Sequence, residues 1–210
     1  QPVEERIGVR QFVGLPWFDA KADGVVARAI PKLGMRCVGS CEVALDNVYV
    51  PGTHVIGEVN KGWNHILTTL NNERILVAAL ATGVLRGVIE ESVKYATERE
   101  AFGKKIGQFQ VISHWIADMQ MRVDQTRWVV RHLAWLIASG QPCAREASQA
   151  KVIATETLQS LSNEAMQIFA SQGYSSESDV QRIWRDARLY TFGEGTNEVQ
   201  RDLIARHLGL

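Results

Sequence analysis

Gln110-Val-Ile-Ser-His-Trp-Ile-Ala-Asp-Met-Gln-Met-Arg-Val-Asp-Gln-Thr-Arg-Trp-Val-Val-Arg-His-Leu-Ala-Trp-Leu-Ile-Ala-Ser139 is the stretch whose period decides the fold. Within it Ile112, Ile116, Met119, Val123, Val130 and Leu133 recur at steps of three, four and seven residues, which stacks them on one side of a helix. Gly140-Gln-Pro142 ends that helix, because proline cannot continue the hydrogen-bond ladder and glycine caps it readily. The same period runs upstream from about Lys61 to Arg99, carried by Trp63, Ile66, Leu67, Leu70, Ile75, Val77, Ala78, Val84, Ile89 and Val93. Phe102-Gly103 and Gly107 interrupt it there. Downstream, a helix is predicted from Arg145 to about Ser171, stopped by Gly173. Ser178-Asp-Val-Gln181 reads as a capping box opening a further helix to Tyr190, and a last one runs from Thr196 to His207. Long helices joined by short turns predict a mainly α fold, an up-and-down bundle of the four-helix type.

Before Lys61 the pattern is different. Gly24-Val-Val-Ala-Arg-Ala-Ile30 ends at Pro31, and Cys41-Glu-Val-Ala-Leu-Asp-Asn-Val-Tyr-Val50 ends at Pro51. Such β-branched runs between turn residues predict a few antiparallel strands, with Gly8–Val13 as a further candidate. A few strands cannot bury an apolar face alone, so this reading expects a β-domain represented only in part.

Composition excludes several functions. The chain has 210 residues with 23 basic and 23 acidic side chains, so its balance gives no reason to approach nucleic acid or an anionic membrane. With 46% hydrophobic and 22% charged residues it can build a core and is not disordered by composition. No apolar run is long enough for a membrane span. Cys37, Cys41 and Cys143 lack the paired ligands of a zinc site, and their odd number suits a reducing compartment. The expectation is therefore no metal and a cytoplasmic location, with the mitochondrial matrix as the alternative. No glutamate precedes any of the five histidines by three residues, so di-iron pairs are absent. There is no Gly-x-Ser-x-Gly elbow and no phosphate-binding Walker loop. Gly193-Glu-Gly195 begins like a dinucleotide fingerprint, but Glu198 stands where the last glycine belongs.

One segment remains unusual: Phe192-Gly-Glu-Gly-Thr-Asn-Glu-Val-Gln-Arg201. Glycines on both sides of Glu194 let the backbone approach a ligand, and a helix start favours a negative charge. The same residues could equally form a solvated acidic cap.

The chain resembles the C-terminal part of an acyl-CoA dehydrogenase. The resemblance rests on Ile30-Pro-Lys-Leu-Gly-Met-Arg36, Glu42-Val-Ala-Leu-Asp-Asn-Val-Tyr-Val-Pro51, Leu70-Asn-Asn-Glu-Arg74, Tyr95-Ala-Thr-Glu-Arg-Glu-Ala-Phe-Gly103, Gln167-Ile-Phe169, Trp184-Arg-Asp-Ala-Arg188 and Gly193-Glu-Gly-Thr-Asn-Glu198, in order along the chain. It implies that residues 1–56 are the end of a middle β-domain and residues 57–210 a helical domain. It further implies FAD-dependent α,β-dehydrogenation of an acyl-CoA thioester: a carboxylate removes the α-proton while the β-hydride passes to the flavin. Glu194 matches the base, with Glu73 as the alternative position used by some members. Asn71, Arg74 and Gly195 match substrate contacts, and the backbone N–H of Glu194 itself matches a donor to the thioester carbonyl. Arg99, Phe102, Gln110, Gln167, Thr196 and Glu198 match cofactor contacts, with Arg99 and Phe102 reaching the flavin of a neighbouring subunit. Ala170-Ser171 depart from the two glycines common in the family. The resemblance also implies a homodimer or homotetramer, with electron-transfer flavoprotein as the electron acceptor. The rival readings are a non-catalytic helical oligomerisation fragment and a relative that reduces an enoyl-CoA or eliminates a β-substituent.

Overall fold

Helices form where the apolar period places them. The computed structural model describes residues 15–210, apart from the side chains of Leu15, Pro16, Asn64, Leu67, Thr68 and Asn71. The candidate strand at residues 8–13 lies outside the described residues. Short strands β1 (Leu15–Pro16), β2 (Val25–Ala29), β3 (Cys41–Leu45) and β4 (Val55–Ile56) precede α1 (Gly62–Glu98). A hairpin of β5 (Glu100–Ala101) and β6 (Lys104–Lys105) leads into α2 (Gln110–Ala138) and α3 (Ala144–Phe169). The single turn α4 (Ser171–Tyr174), then α5 (Asp179–Tyr190) and α6 (Asn197–His207), complete the order. The chain is mainly α, a helical bundle preceded by a few antiparallel strands, as the sequence predicts.

Two compact units divide it: the described residues up to Lys32 with Arg36–Leu70, and Leu33–Met35 with Asn71–Leu210. In the first, β2 and β3 pair antiparallel with Val25 opposite Leu45 and Ala29 opposite Cys41, while β1 pairs with β4. The predicted second strand stops at Leu45, short of Val50, because Asn47 takes a left-handed φ of 49° and turns the chain.

In the second unit α3 is the centre, packing against α2, α5 and α6. Its inward stripe mixes small residues (Ala147, Ala150, Ala154, Ala165) with Leu158 and Leu161, so neighbouring helices approach closely around two large anchors. Each leucine contributes about 1.5–3 kcal/mol of burial. Met119, Val123 and Leu133 of α2, and Ala78, Ala81, Leu85, Val88 and Ile89 of α1, join the same cluster. Tyr95 of α1 stacks on Phe169 at the end of α3, ring centres 4.1 Å apart. Not every periodic residue points inward: Trp63 and Val93 are exposed, since the core-facing stripe of α1 is carried mainly by alanine and small aliphatic residues. The segment Leu33–Met35 is pinned to α5, where Asp186 Oδ1 accepts from the Met35 N–H and Arg185 donates to the Leu33 carbonyl at 2.8 Å.

The capping box at Ser178 forms only by half. Ser178 Oγ accepts from the Val180 N–H, but Gln181 turns its amide to the carbonyls of Ser176 and Ser178 instead of reaching back to the cap N–H. The helix predicted to run to Ser171 ends at Phe169, because Ala170 has φ 50° and ψ −132°. That conformation suits glycine, and an alanine there stores about 1–3 kcal/mol. Glycine costs about 0.5–1 kcal/mol more entropy on folding. Ala170→Gly should therefore stabilise the chain by about 1 kcal/mol, read as a higher urea midpoint at unchanged m-value.

Candidate active site

Helix α5 ends at Tyr190, and the loop to α6 must reverse quickly. Gly193 N–H donates to the Leu189 carbonyl at 2.9 Å and Asn197 N–H to the Thr191 carbonyl at 3.0 Å, closing the loop on itself. Between these bonds Glu194 and Gly195 are both left-handed, with φ 56° and 88°. The left-handed φ at position 195 strains any residue but glycine, and a β-carbon there would also come 2.9 Å from Gln200 Nε2. Thr196 caps α6, its Oγ1 accepting from the Val199 N–H at 3.3 Å.

This turn presents the half-buried Glu194 to Glu73 of α1, and the two side chains share a hydrogen bond. Two carboxyl groups can do so only if one holds a proton. The bond to Glu73 raises the Glu194 pKa above the ordinary carboxylate value; partial burial and the Glu73 charge raise it further. Lys151 opposes these effects. Arg74, next to Glu73, is buried, and burial pulls its pKa below the ordinary value. The site thus brings together two carboxyl groups, one of them with its pKa raised.

Behind the turn lies Lys151 of α3, fully shielded from solvent. Its ammonium donates to the Thr191 carbonyl at 3.2 Å, the Gly195 carbonyl at 2.9 Å and Asn197 Oδ1 at 2.7 Å. Asn197 is braced in turn by Thr155 Oγ1 and Glu156 Oε1. Burial lowers the Lys151 pKa to about 8, against the attraction of Glu198 and Glu194. The reading of the sequence missed Lys151, Asn197 and Gln200. Lys151 was findable: it follows Ala147 by four residues and precedes Leu158 by seven, on the apolar stripe of α3.

The other expected contacts fall elsewhere. Arg99 lines a separate cleft of about 340 Å³ with Glu91, Tyr95, Phe169, Gln172 and Ser178. Phe102 stands at a left-handed turn with φ 51°, 96% exposed. Gln110 and Gln167 are exposed on α2 and α3. Glu198 is exposed in the first turn of α6, where the backbone N–H and the Thr196 hydroxyl hold its pKa down. The Asn71 side chain lies outside the described ones.

The family model for the C-terminal domain of acyl-CoA dehydrogenases matches residues 60–209. The chain belongs to the acyl-CoA dehydrogenase family. It is similar to the probable acyl-CoA dehydrogenase YngJ of Bacillus subtilis, 41% identical over 177 residues that cover 84% of this chain and 47% of that protein. It is also similar to the caffeyl-CoA reductase-Etf complex subunit CarC of Acetobacterium woodii, 36% identical over 94% of this chain and 52% of the relative. Among solved structures, butyryl-CoA dehydrogenase of Megasphaera elsdenii superposes with a TM-score of 0.87 at 34% identity, covering 92% of this chain and 51% of that one. PigA, solved with FAD and proline, superposes at 0.88 with 27% identity, covering 92% and 51%. The chain spans about half the length of the curated relatives it matches.

The carboxyl pair has a measurable pH signature. A raised Glu194 pKa means the folded chain holds more protons than the unfolded chain above the ordinary carboxylate range. Stability from this group is therefore present at low pH and is lost as pH rises through the folded-state value. Glu73→Gln should flatten that decline and move Glu194 titration downward, followed by carboxyl-carbon NMR and by denaturation across the same pH range.

Proposed function

We propose that the protein acts in α,β-dehydrogenation of acyl-CoA thioesters, with Glu194 as the base that removes the α-proton. The observation that carries this reading is the Glu194–Glu73 contact at a turn held in the left-handed conformation. A carboxylate whose pKa is pushed toward neutrality is matched to taking a weakly acidic proton near physiological pH. The hydrogen bond to Glu73 and the Glu73 charge both disfavour ionisation of Glu194. The backbone N–H of Glu194 itself donates toward the thioester carbonyl, where charge develops as the proton leaves. Arg74 and Asn71 lie on the α1 side of the substrate.

FAD is the proposed cofactor, supplying the acceptor for the β-hydride. The residues present suit it. Arg99 forms no ion pair among the described residues, and Phe102 offers a bare ring. A guanidinium can pair with a pyrophosphate and a phenyl ring can cover a flat heterocycle. Gln110 and Gln167 would add hydrogen bonds, with Thr196 and Glu198 on the adenine side. Arg99 lines a cleft that Glu194 does not, which supports a cofactor from a neighbouring subunit at Arg99 and Phe102. Exposed Trp115, Trp128 and Trp135 along α2 support a homodimer or homotetramer. Electron-transfer flavoprotein is the proposed acceptor, in the cytoplasm or the mitochondrial matrix.

A second reading, reduction of an enoyl-CoA, is favoured by the name of the caffeyl-CoA reductase relative and by the raised Glu194 pKa, which favours a carboxyl able to give a proton. Assays in both directions separate them: acyl-CoA with an artificial electron acceptor, and enoyl-CoA with a reduced donor. In flavin-loaded protein, Glu194→Gln should lower kcat by about 10²–10⁴-fold while flavin and ligand binding persist. Glu73→Gln should cost less; the opposite ranking makes Glu73 the base. Light scattering at micromolar concentration should find a dimer or tetramer, and a monodisperse monomer would remove the subunit-bridging part of the proposal.

A further inference from the structure

Among the described residues Lys151 is the largest fully buried side chain, and the chemistry proposed above makes no use of it. An ammonium has three protons to donate, and each finds an oxygen: the carbonyls of Thr191 and Gly195 and the amide oxygen of Asn197. None of these acceptors is a carboxylate. A buried cation bonded only to neutral oxygens is costly, and its pKa near 8 records that cost. Its acceptors bracket the left-handed Glu194–Gly195 pair, so each bond bears on the same turn. Gln200 reaches the Gly195 carbonyl only at 3.4 Å, a much weaker hold.

We propose that Lys151 is a positioning residue for Glu194: from the core of α3 it fastens the turn from behind, so that the Glu194 carboxyl meets Glu73. The proposal rests on Glu194 as the working carboxylate. A non-glycine residue at positive φ persists only where its surroundings over-determine it, and Lys151 supplies that determination. Several charged groups bear on this arrangement. Glu73 and Arg74 act from α1, Glu156 from α3 and Glu198 from α6.

The geometry allows a test by sign. Removing the ammonium charge alone would raise the Glu194 pKa, because Lys151 holds it down. Releasing the turn does the reverse, since Glu194 then leaves Glu73 and enters water. The experiment uses the 210-residue chain labelled at the glutamate carboxyl carbon, with Glu194 assigned by its loss in Glu194→Gln. In Lys151→Met the Glu194 midpoint should move down, toward the ordinary carboxylate range. Amide hydrogen exchange at residues 193–196 should speed up by about tenfold or more, while α3 and α5 keep their protection. A midpoint that rises or stays, or exchange at 193–196 that stays at the wild-type rate, overturns the proposal. If Lys151→Met does not fold, Asn197→Ala decides by the same readouts: it removes one acceptor and should shift both in the same directions by less. Glu73→Gln in parallel keeps the two readings separate. If that change leaves the Glu194 midpoint in place, the carboxyl pair fails, and Lys151 is judged on exchange alone.

Discussion

The ammonium of Lys151 is the fixed point around which the site is arranged. It sits fully buried on α3, among the buried alanines Ala147, Ala150 and Ala154, yet it bonds to the loop between α5 and α6. A charge in that position needs every proton satisfied, and the loop backbone supplies the oxygens. The loop is therefore tied to the core of the bundle, unlike a connection that merely crosses the surface. A turn with two successive left-handed residues can then be maintained, at a strain that a loosely held loop would relieve.

From that turn the electrostatics follow. Glu194, in the loop before α6, meets Glu73 of α1, and the bond to Glu73 together with its charge raises the Glu194 pKa. Lys151 and Glu73 then act on Glu194 in opposite directions. Arg74 adds a second buried cation one residue beyond Glu73, so the site carries charge of both signs. The strain, the buried lysine and the carboxyl pair are each unfavourable alone. They coincide in one place, as expected where local stability is given up for chemistry.

Much of the helical unit was legible from residue order. The ends of α1, α2, α5 and α6 fall within a residue or so of where Gly, Pro, Ser178 and Thr196 place them. Those boundaries depend on local sterics and capping, which act within a few residues. The misplaced end of α3 has a different cause: Ala170 breaks the helix in a conformation that alanine disfavours, so the packing beyond it overrode the local preference. Trp63 and Val93 misled for a related reason, since a long helix meets different neighbours along its length. The strands were found in place and pairing, though β2 and β3 expose Val26, Val43 and Leu45 among the described residues.

The sequence alone determined the helices, their order, the family motifs and the two candidate carboxylates, because these are written in spacing and residue type. It could not determine that Glu73 and Glu194 touch, or that Lys151 sits behind one of them. Those facts join α1, α3 and the loop before α6, segments far apart in the chain, and no local rule sets their distance. A lysine on an apolar stripe reads as a defect until the partner oxygens are brought to it. Only the packed bundle supplies them, because the desolvation of that ammonium is balanced by backbone carbonyls whose positions exist only in the folded chain.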